Sequence, residues 1–313
     1  MRTGRTLDTR RVPKRTPEVE TVDWAVFCGL AAALSYGTGD YLAQLAGRAV
    51  GLWRSSFYAA LLAIAVLSAC LAIEPAIVRQ ALRAPPSAWW AAIGSGVMLL
   101  AASVLFTQAL IKGSLPVVAP VTASYGAVTT LLSIASGERF SSSTALGLAL
   151  IMLGSCIVAI PTPVRVPPET TRSDPPHTGL GWALGAALGY GVGLWLQGRL
   201  AVPALGALLP VWITYAVAVV LLGALGVSAH VSLSLPERPA LGSVFGSGAL
   251  GMTGFLALSA GLATGRIAVV VVLSSLTSAI TVFVGRTVGD TRLALHQWLA
   301  IALIVAGLML VRS

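Results

Sequence analysis

Asp40 is the residue whose type and position most invite chemistry. It interrupts an apolar run extending from about residue 24 to 47, and Tyr36 and Gln44 lie four residues to either side of it. On a helix all three share one face. An ionisable group inside such a run is costly and normally faces an interior cavity, where it would bind an ammonium group or carry a proton. Hydration near the end of the run, or pairing with Arg48 or Arg54, would explain Asp40 equally well. Further polar groups interrupt other apolar runs: Gln108, Tyr125, Tyr190, Trp195 and Gln197. Aromatic rings and amides suit a small amphipathic solute; they also serve as interhelical hydrogen-bonding groups.

Other chemistries are poorly supplied. Cys28, Cys70 and Cys156 sit alone in separate apolar runs, and His177, His230 and His296 fall in loops or at a run's end. No metal-ligand spacing joins them, no Gly-rich lysine motif offers a nucleotide site, and no Ser–His pair sits within a run. The sequence therefore implies no catalytic residue, metal or cofactor, and the protein is not expected to be an enzyme. Glu138 with Arg139, and Asp290 with Arg292, occupy short turns where solvated, helix-capping charge is the default.

The elements that must carry these groups follow from composition. The chain has 313 residues, 56% apolar and only 10% charged, with a mean hydropathy of +0.87. Soluble domains carry about a quarter charged residues, so a soluble enzyme or nucleic-acid-binding domain is excluded. A helix needs roughly 20 apolar residues to cross a bilayer. Such runs occur at about 24–47, 51–73, 88–111, 114–136 and 141–161, then at about 179–200, 205–228, 240–263, 266–288 and 292–312. The expectation is an all-α membrane protein with ten transmembrane helices. Residues 1–23 read as a disordered basic tail carrying Arg2, Arg5, Arg10, Arg11, Lys14 and Arg15, and 162–178 as a Pro-rich linker.

The two sets of five runs repeat each other. Gly94-Ser95-Gly96 returns 152 residues later as Gly246-Ser247-Gly248, and Gly137-Glu138 as Gly289-Asp290. Ala32-Ala33-Leu34-Ser35-Tyr36-Gly37 returns 154 residues later as Ala186-Ala187-Leu188-Gly189-Tyr190-Gly191. An odd number of spans per repeat turns the second copy over in the membrane, the inverted-repeat layout of many secondary transporters. Small residues at four-residue spacing mark helix contacts: Gly181, Gly185, Gly189 and Gly193; Gly29, Ala33 and Gly37; and, less regularly, Gly242, Gly246 and Gly254.

Segment 109–160, with its Ala-Leu-Ile-Lys-Gly-Ser opening, Gly137-Glu138-Arg139-Phe140 turn and Gly147 and Gly154 in the following span, resembles one EamA-type repeat of the drug/metabolite transporter superfamily. Segment 261–311 resembles a second copy, with Gly289-Asp290-Thr291-Arg292-Leu293 at the turn. Where members of the superfamily often have a Pro after an aromatic in the fourth span, Tyr125 is followed by Gly126, and the ninth span has Ser278. The resemblance implies a central cavity among the first, third, fourth, sixth, eighth and ninth helices. It makes Tyr36, Asp40, Gln44, Gln108, Tyr125, Tyr190, Trp195 and Gln197 candidates for substrate binding.

The expected organisation is a first five-helix repeat at 24–161 and a second at 179–313. The expected function is secondary transport by alternating access, exporting a small metabolite such as an amino acid or drug-like solute, with or without proton coupling. A non-transporting sensor or assembly partner is the alternative, ahead of an intramembrane enzyme. The basic tail puts both termini in the cytoplasm of a cell with the protein in its inner membrane. The partners are the solute and the lipid bilayer, not nucleic acid. A monomer suffices, with a homodimer left open.

Overall fold

The structure is a computed structural model, and it describes residues 17–112, 118, 121–158, 179–228, 234–277, 279–281, 283–284 and 295–312. The expectations for residues 1–16, the linker 162–178, Ser278 and the Gly289–Leu293 turn lie outside the described residues. No strand occurs among the described residues. The helices are α1 (Pro17–Val50), α2 (Leu52–Ile73), α3 (Pro75–Ala81), α4 (Pro86–Lys112), α5 (Tyr125–Ala135) and α6 (Ser142–Val158). After the linker come α7 (Leu180–Leu196), a π turn (Gln197–Ala201), α8 (Val202–Leu205), α9 (Leu208–Ser228), α10 (Arg238–Leu262), α11 (Ile267–Ser274) and α12 (Leu295–Arg312).

α1 begins at Pro17, inside the stretch 1–23 expected to be a tail. Pro17 followed by Glu18 and Glu20 is a sequence that starts helices, because proline suits the first helical position and carboxylates suit the positive end of the helix dipole. α2, α4, α9 and α10 are long and apolar enough to cross a membrane by themselves. Shorter apolar helices occur at Val121–Ala135, Ser142–Val158, Ile267–Thr281 and Leu295–Val311.

The distribution of residues is that of a protein in lipid. Ile73, Trp90, Leu131, Val220 and Met309 are exposed, whereas the interior is rich in alanine, serine and glycine. In water such a surface would aggregate. In lipid the apolar side chains are solvated, and helices associate by close backbone approach at small residues. Every residue of α11 is buried. A helix that is apolar all round has no face for solvent and belongs at the centre of a bundle, and α11 packs against α1, α5, α6 and α10.

The principal helix contacts cross between the first and second halves of the chain: α1 with α10, α4 with α7, α6 with α12, and α2 with α9. Exchanging each half's helices for those of the other maps this set of pairs on to itself. Glycines set the distances. A Cβ on Gly147 would stand 2.6 Å from the Gly307 carbonyl oxygen, and one on Gly307 would stand 2.6 Å from that of Gly147. Gly29 and Gly37 approach the Cβ atoms of Leu273 and Ile280 to 2.7 and 2.6 Å, and Gly189 approaches that of Ala102 to 2.9 Å. Gly181 and Gly242, which share the glycine spacing, face open space.

The π turn after α7 has a local cause. Pro203 lacks the N–H that would continue the α ladder, and its ring crowds the carbonyl four residues earlier. The chain widens by one residue, so that the Val202 N–H bonds to the Gln197 carbonyl, five residues back. Gln197 is fully buried there. The Ser95 hydroxyl donates to its Oε1 at 3.1 Å, and its Nε2 has no partner.

Three substitutions test this packing. Gly147→Val places side-chain atoms against a backbone that cannot yield, and should cost about 1–3 kcal/mol, read as a lower unfolding temperature in detergent. Gly181→Ala meets nothing and should leave that temperature unchanged or slightly higher. Ser95→Ala strands the Gln197 amide completely and should cost about 1–3 kcal/mol, whereas adding Gln197→Leu to it should recover most of the loss. A double-mutant cycle by thermal unfolding reads that coupling.

Candidate functional site

Because the helices alternate in direction, the turns fall on two faces. One face carries the ends of α2, α5, α7, α10 and α12; here it is called the terminal face. The other carries the α1–α2 turn and the α9–α10 connection.

Polar and apolar contacts close the terminal face. The Trp195 indole N–H donates to the Ser136 hydroxyl at 2.9 Å, and the Arg199 guanidinium donates to the Ser136 carbonyl at 3.3 Å. The Ser259 hydroxyl donates to the Ala207 carbonyl at 2.7 Å. Glu138 follows Gly137, whose φ of 93° turns the chain between α5 and α6. Its Oε2 accepts the Ala268 N–H at 3.4 Å, in the first turn of α11. Burial pushes the Glu138 carboxyl up from the ordinary carboxylate range, a rise that the Ala268 N–H and the Arg266 charge only partly offset. Beneath these contacts Leu71, Ala81, Ala92, Leu205 and Ile213 form an apolar plug.

Among the described residues, the opposite half of the molecule holds a cavity of about 250 Å³, enclosed by α1, α2, α4, α9 and α10. Tyr36, Gly39, Asp40 and Ala43 of α1 form one wall; Ser55 and Ser56 of α2, Tyr215 of α9 and Ser247 of α10 form the others. Asp40 is exposed to this space, and Gln44 is exposed one turn further along α1. Arg54 does not pair with Asp40. Its guanidinium donates to the Ser234 carbonyl at 2.9 Å and the Leu235 carbonyl at 3.2 Å, joining α2 to the chain ahead of α10.

Tyr125 and Tyr190 lie deeper, with ring centres 5.9 Å apart. Asp40 thus shares the cavity with two phenols, Tyr36 and Tyr215, and Tyr125 and Tyr190 form a ring pair of their own.

The candidates from sequence thus divide. Tyr36 and Asp40 stand together in the cavity with Gln44 at the mouth, and Tyr125 pairs with Tyr190. Gln108 is half-buried on α4, two turns beyond the cavity residue Leu100. Trp195 and Gln197 stand at the terminal end of α7, one in the Ser136 contact and the other bonded to Ser95. Three polar cavity residues are not among the sequence candidates: Tyr215, Ser55 and Ser56. Tyr215 carried a usable signal, an isolated phenol within an apolar run. Ser247 was noticed only as half of a repeat marker. Among the described residues no group of three or more His, Cys, Asp or Glu side chains could hold a metal ion.

No curated protein matches the sequence. A solved crystal structure superposes with a TM-score of 0.67 at 19% identity, over 91% of this chain and 95% of that one. At that identity the likeness concerns the fold alone. The family model described as the EamA-like transporter family matches residues 23–160 and again residues 177–313. The chain is a multi-pass, all-α membrane protein, and it belongs to the EamA-like transporter family, a family of transporters and not of enzymes.

Proposed function

We propose that the protein is a secondary transporter that exports a small metabolite by alternating access through the Asp40 cavity. Its ten helices, α1, α2, α4–α7 and α9–α12, form two inverted five-helix repeats at 24–161 and 179–313. The linker 162–178 joins them. The self-mapping of the helix pairs supports this arrangement, and the basic tail supports cytoplasmic termini in an inner membrane. The terminal face is then the cytoplasmic side, and the cavity opens away from it. Tyr36, Asp40, Tyr125 and Tyr190 bind the solute, and Gln44 meets it at the mouth. Gln108, Trp195 and Gln197 act in passage. One copy of the chain supplies the whole cavity.

One observation carries the reading. Ser95 and Ser247 are counterparts in the repeat, each nine residues into its helix. Ser95 is buried and closed on to Gln197 near the terminal face, while Ser247 lines the cavity near the other. Both serines are buried, yet their surroundings differ: Ser95 bonds across to Gln197, whereas Ser247 bonds to the Val244 carbonyl of its own helix and borders the cavity. Exchange of those environments between halves is alternating access between two inverted repeats. Protonation of Asp40 would couple the exchange to a proton gradient.

The test is solute efflux from proteoliposomes containing the purified chain, loaded with a metabolite extract and sampled outside. Export of at least one solute above protein-free vesicles is expected. No efflux of any solute, with or without an imposed pH gradient, would remove the transport reading. Asp40→Asn should slow efflux by about 10- to 100-fold, the usual effect of losing one charge-assisted hydrogen bond.

A second prediction concerns the closed face. Glu138 binds its proton more tightly in the folded protein than in the unfolded chain, because burial disfavours its charge. Its contribution to stability is therefore complete below the ordinary carboxylate pKa and declines as pH rises through the raised value. Glu138→Gln should remove this decline, flattening the unfolding temperature against pH from the ordinary carboxylate range upward.

A further inference from the structure

The charge of the cavity identifies the solute more narrowly than export of a metabolite does. We infer that the Asp40 cavity selects a small organic monocation with an aromatic or apolar body, and rejects the zwitterion or anion built on the same body. The inference rests on the transport reading and adds the substrate class to it.

The first support is the balance of charge. Among the described residues Asp40 is the only charged side chain lining the cavity, with no Lys or Arg among its walls. Three of the described cations have other partners. Arg54, next to the wall residue Ser55, is held on the Ser234 and Leu235 carbonyls. Lys112 lies 4.5 Å from the centre of the Trp182 ring, and Arg199 is on Ser136. A solute carboxylate entering this space would find hydroxyls, ring faces and a like charge, and would lose its water without a cationic partner. An ammonium group would find a carboxylate that has no ion-pair partner among the described residues.

The second support is the aromatic content. Tyr36 and Tyr215 line the cavity directly, on opposite walls from α1 and α9. Ring faces attract cations through their quadrupoles, and they bury apolar bodies equally well. The remaining wall is apolar or bare, from Leu52, Leu100, Leu222 and several alanines with Gly39, Gly248 and Gly251. The volume of about 250 Å³ is small for a ligand site, close to the lower end of the usual range of roughly 300–1,000 Å³. It fits one ring with a short amine arm.

Three compounds that share a benzyl body and differ in charge supply the test: phenethylamine, phenylalanine and phenylacetate. Their equilibrium binding to the full-length chain in lipid nanodiscs is measured at neutral pH. Phenethylamine should bind at least about tenfold more tightly than phenylalanine, one charge-assisted contact's worth, with phenylacetate weaker still. Asp40→Asn should abolish that preference, and Asp40→Glu should keep part of it. Tyr215→Phe, which retains the ring, should bind phenethylamine within about twofold of the unmodified chain, whereas Tyr215→Leu should lose roughly 3- to 30-fold. The variants are compared only where their gel-filtration profile matches the unmodified chain, and the Tyr215 pair supplies the test if Asp40→Asn fails that check.

Equal or tighter binding of phenylalanine or phenylacetate overturns the inference. So does failure of all three to bind, or a preference for the amine that survives Asp40→Asn. The efflux assay separates the two readings. Efflux of a zwitterion or anion without cation preference ends the inference and leaves transport standing, whereas no efflux of any solute ends both.

Discussion

Close approach of helices at glycine is the constraint on which the structure depends. In lipid, apolar side chains gain little by leaving one apolar neighbour for another, so helices adhere through backbone proximity and polar contacts. The mutual approach of Gly147 and Gly307 is the clearest case, each glycine leaving only 2.6 Å between its absent Cβ and the other's carbonyl oxygen. The contacts of Gly29 and Gly37 with α11, and of Gly189 with α4, have the same character. Because these contacts join the two halves of the chain, the cavity walls can come from both halves. α1 and α2 supply Asp40 and the paired serines, and α9 and α10 supply Tyr215 and Ser247.

The same packing explains where polarity is tolerated. Most buried hydroxyls of the bundle satisfy themselves locally, donating to carbonyls three or four residues back, as Ser155, Ser247, Ser274 and Ser275 do. Such groups cost little and carry little information. Thr129 goes further and donates to the Gly191 carbonyl of α7, as Thr281 does to the Gly37 carbonyl of α1. These two links join equivalent pairs of helices in the two halves. Asp40 and the Gln197 amide are two of the groups the local rule does not satisfy, and they stand toward opposite ends of the molecule.

Much of this was legible in the sequence, for physical reasons that differ from residue to residue. A carboxylate in an apolar run is conspicuous because charge in lipid is expensive, and Asp40 does line a cavity. Glycine periodicity located the faces of α1 and α7, since only small residues allow such approach. Periodicity does not reveal where a face runs out of partners, so Gly181 and Gly242 looked equivalent to glycines in tight contact. Tyr215 carries the same signal as Tyr125 and Tyr190, a phenol within an apolar run, but that signal alone does not separate a cavity position from a core or lipid one. Trp195 and Gln197 share a helix with Tyr190, but α7 extends across the molecule. The depth at which each stands follows from tertiary packing and from the Pro203-induced π turn, not from composition. The early start of α1 at Pro17 shows the converse: a charged stretch joins a helix once an apolar one has nucleated it.

Pairing between the halves also sets a schedule for synthesis. The glycine face of α1 packs on Leu273 and Ile280, so Gly29 leaves the ribosome 244 residues before its partner exists. At about 5–20 residues per second that interval is roughly 12–50 seconds. For that time α1 must remain in the membrane with its notched face and its carboxylate unoccupied, exposed to other nascent helices with small-residue stripes of their own. α6 waits likewise for α12, the last helix made. The chain's assembly is therefore governed by its final fifth, and the insertion machinery must keep the first repeat from premature association until that fifth arrives.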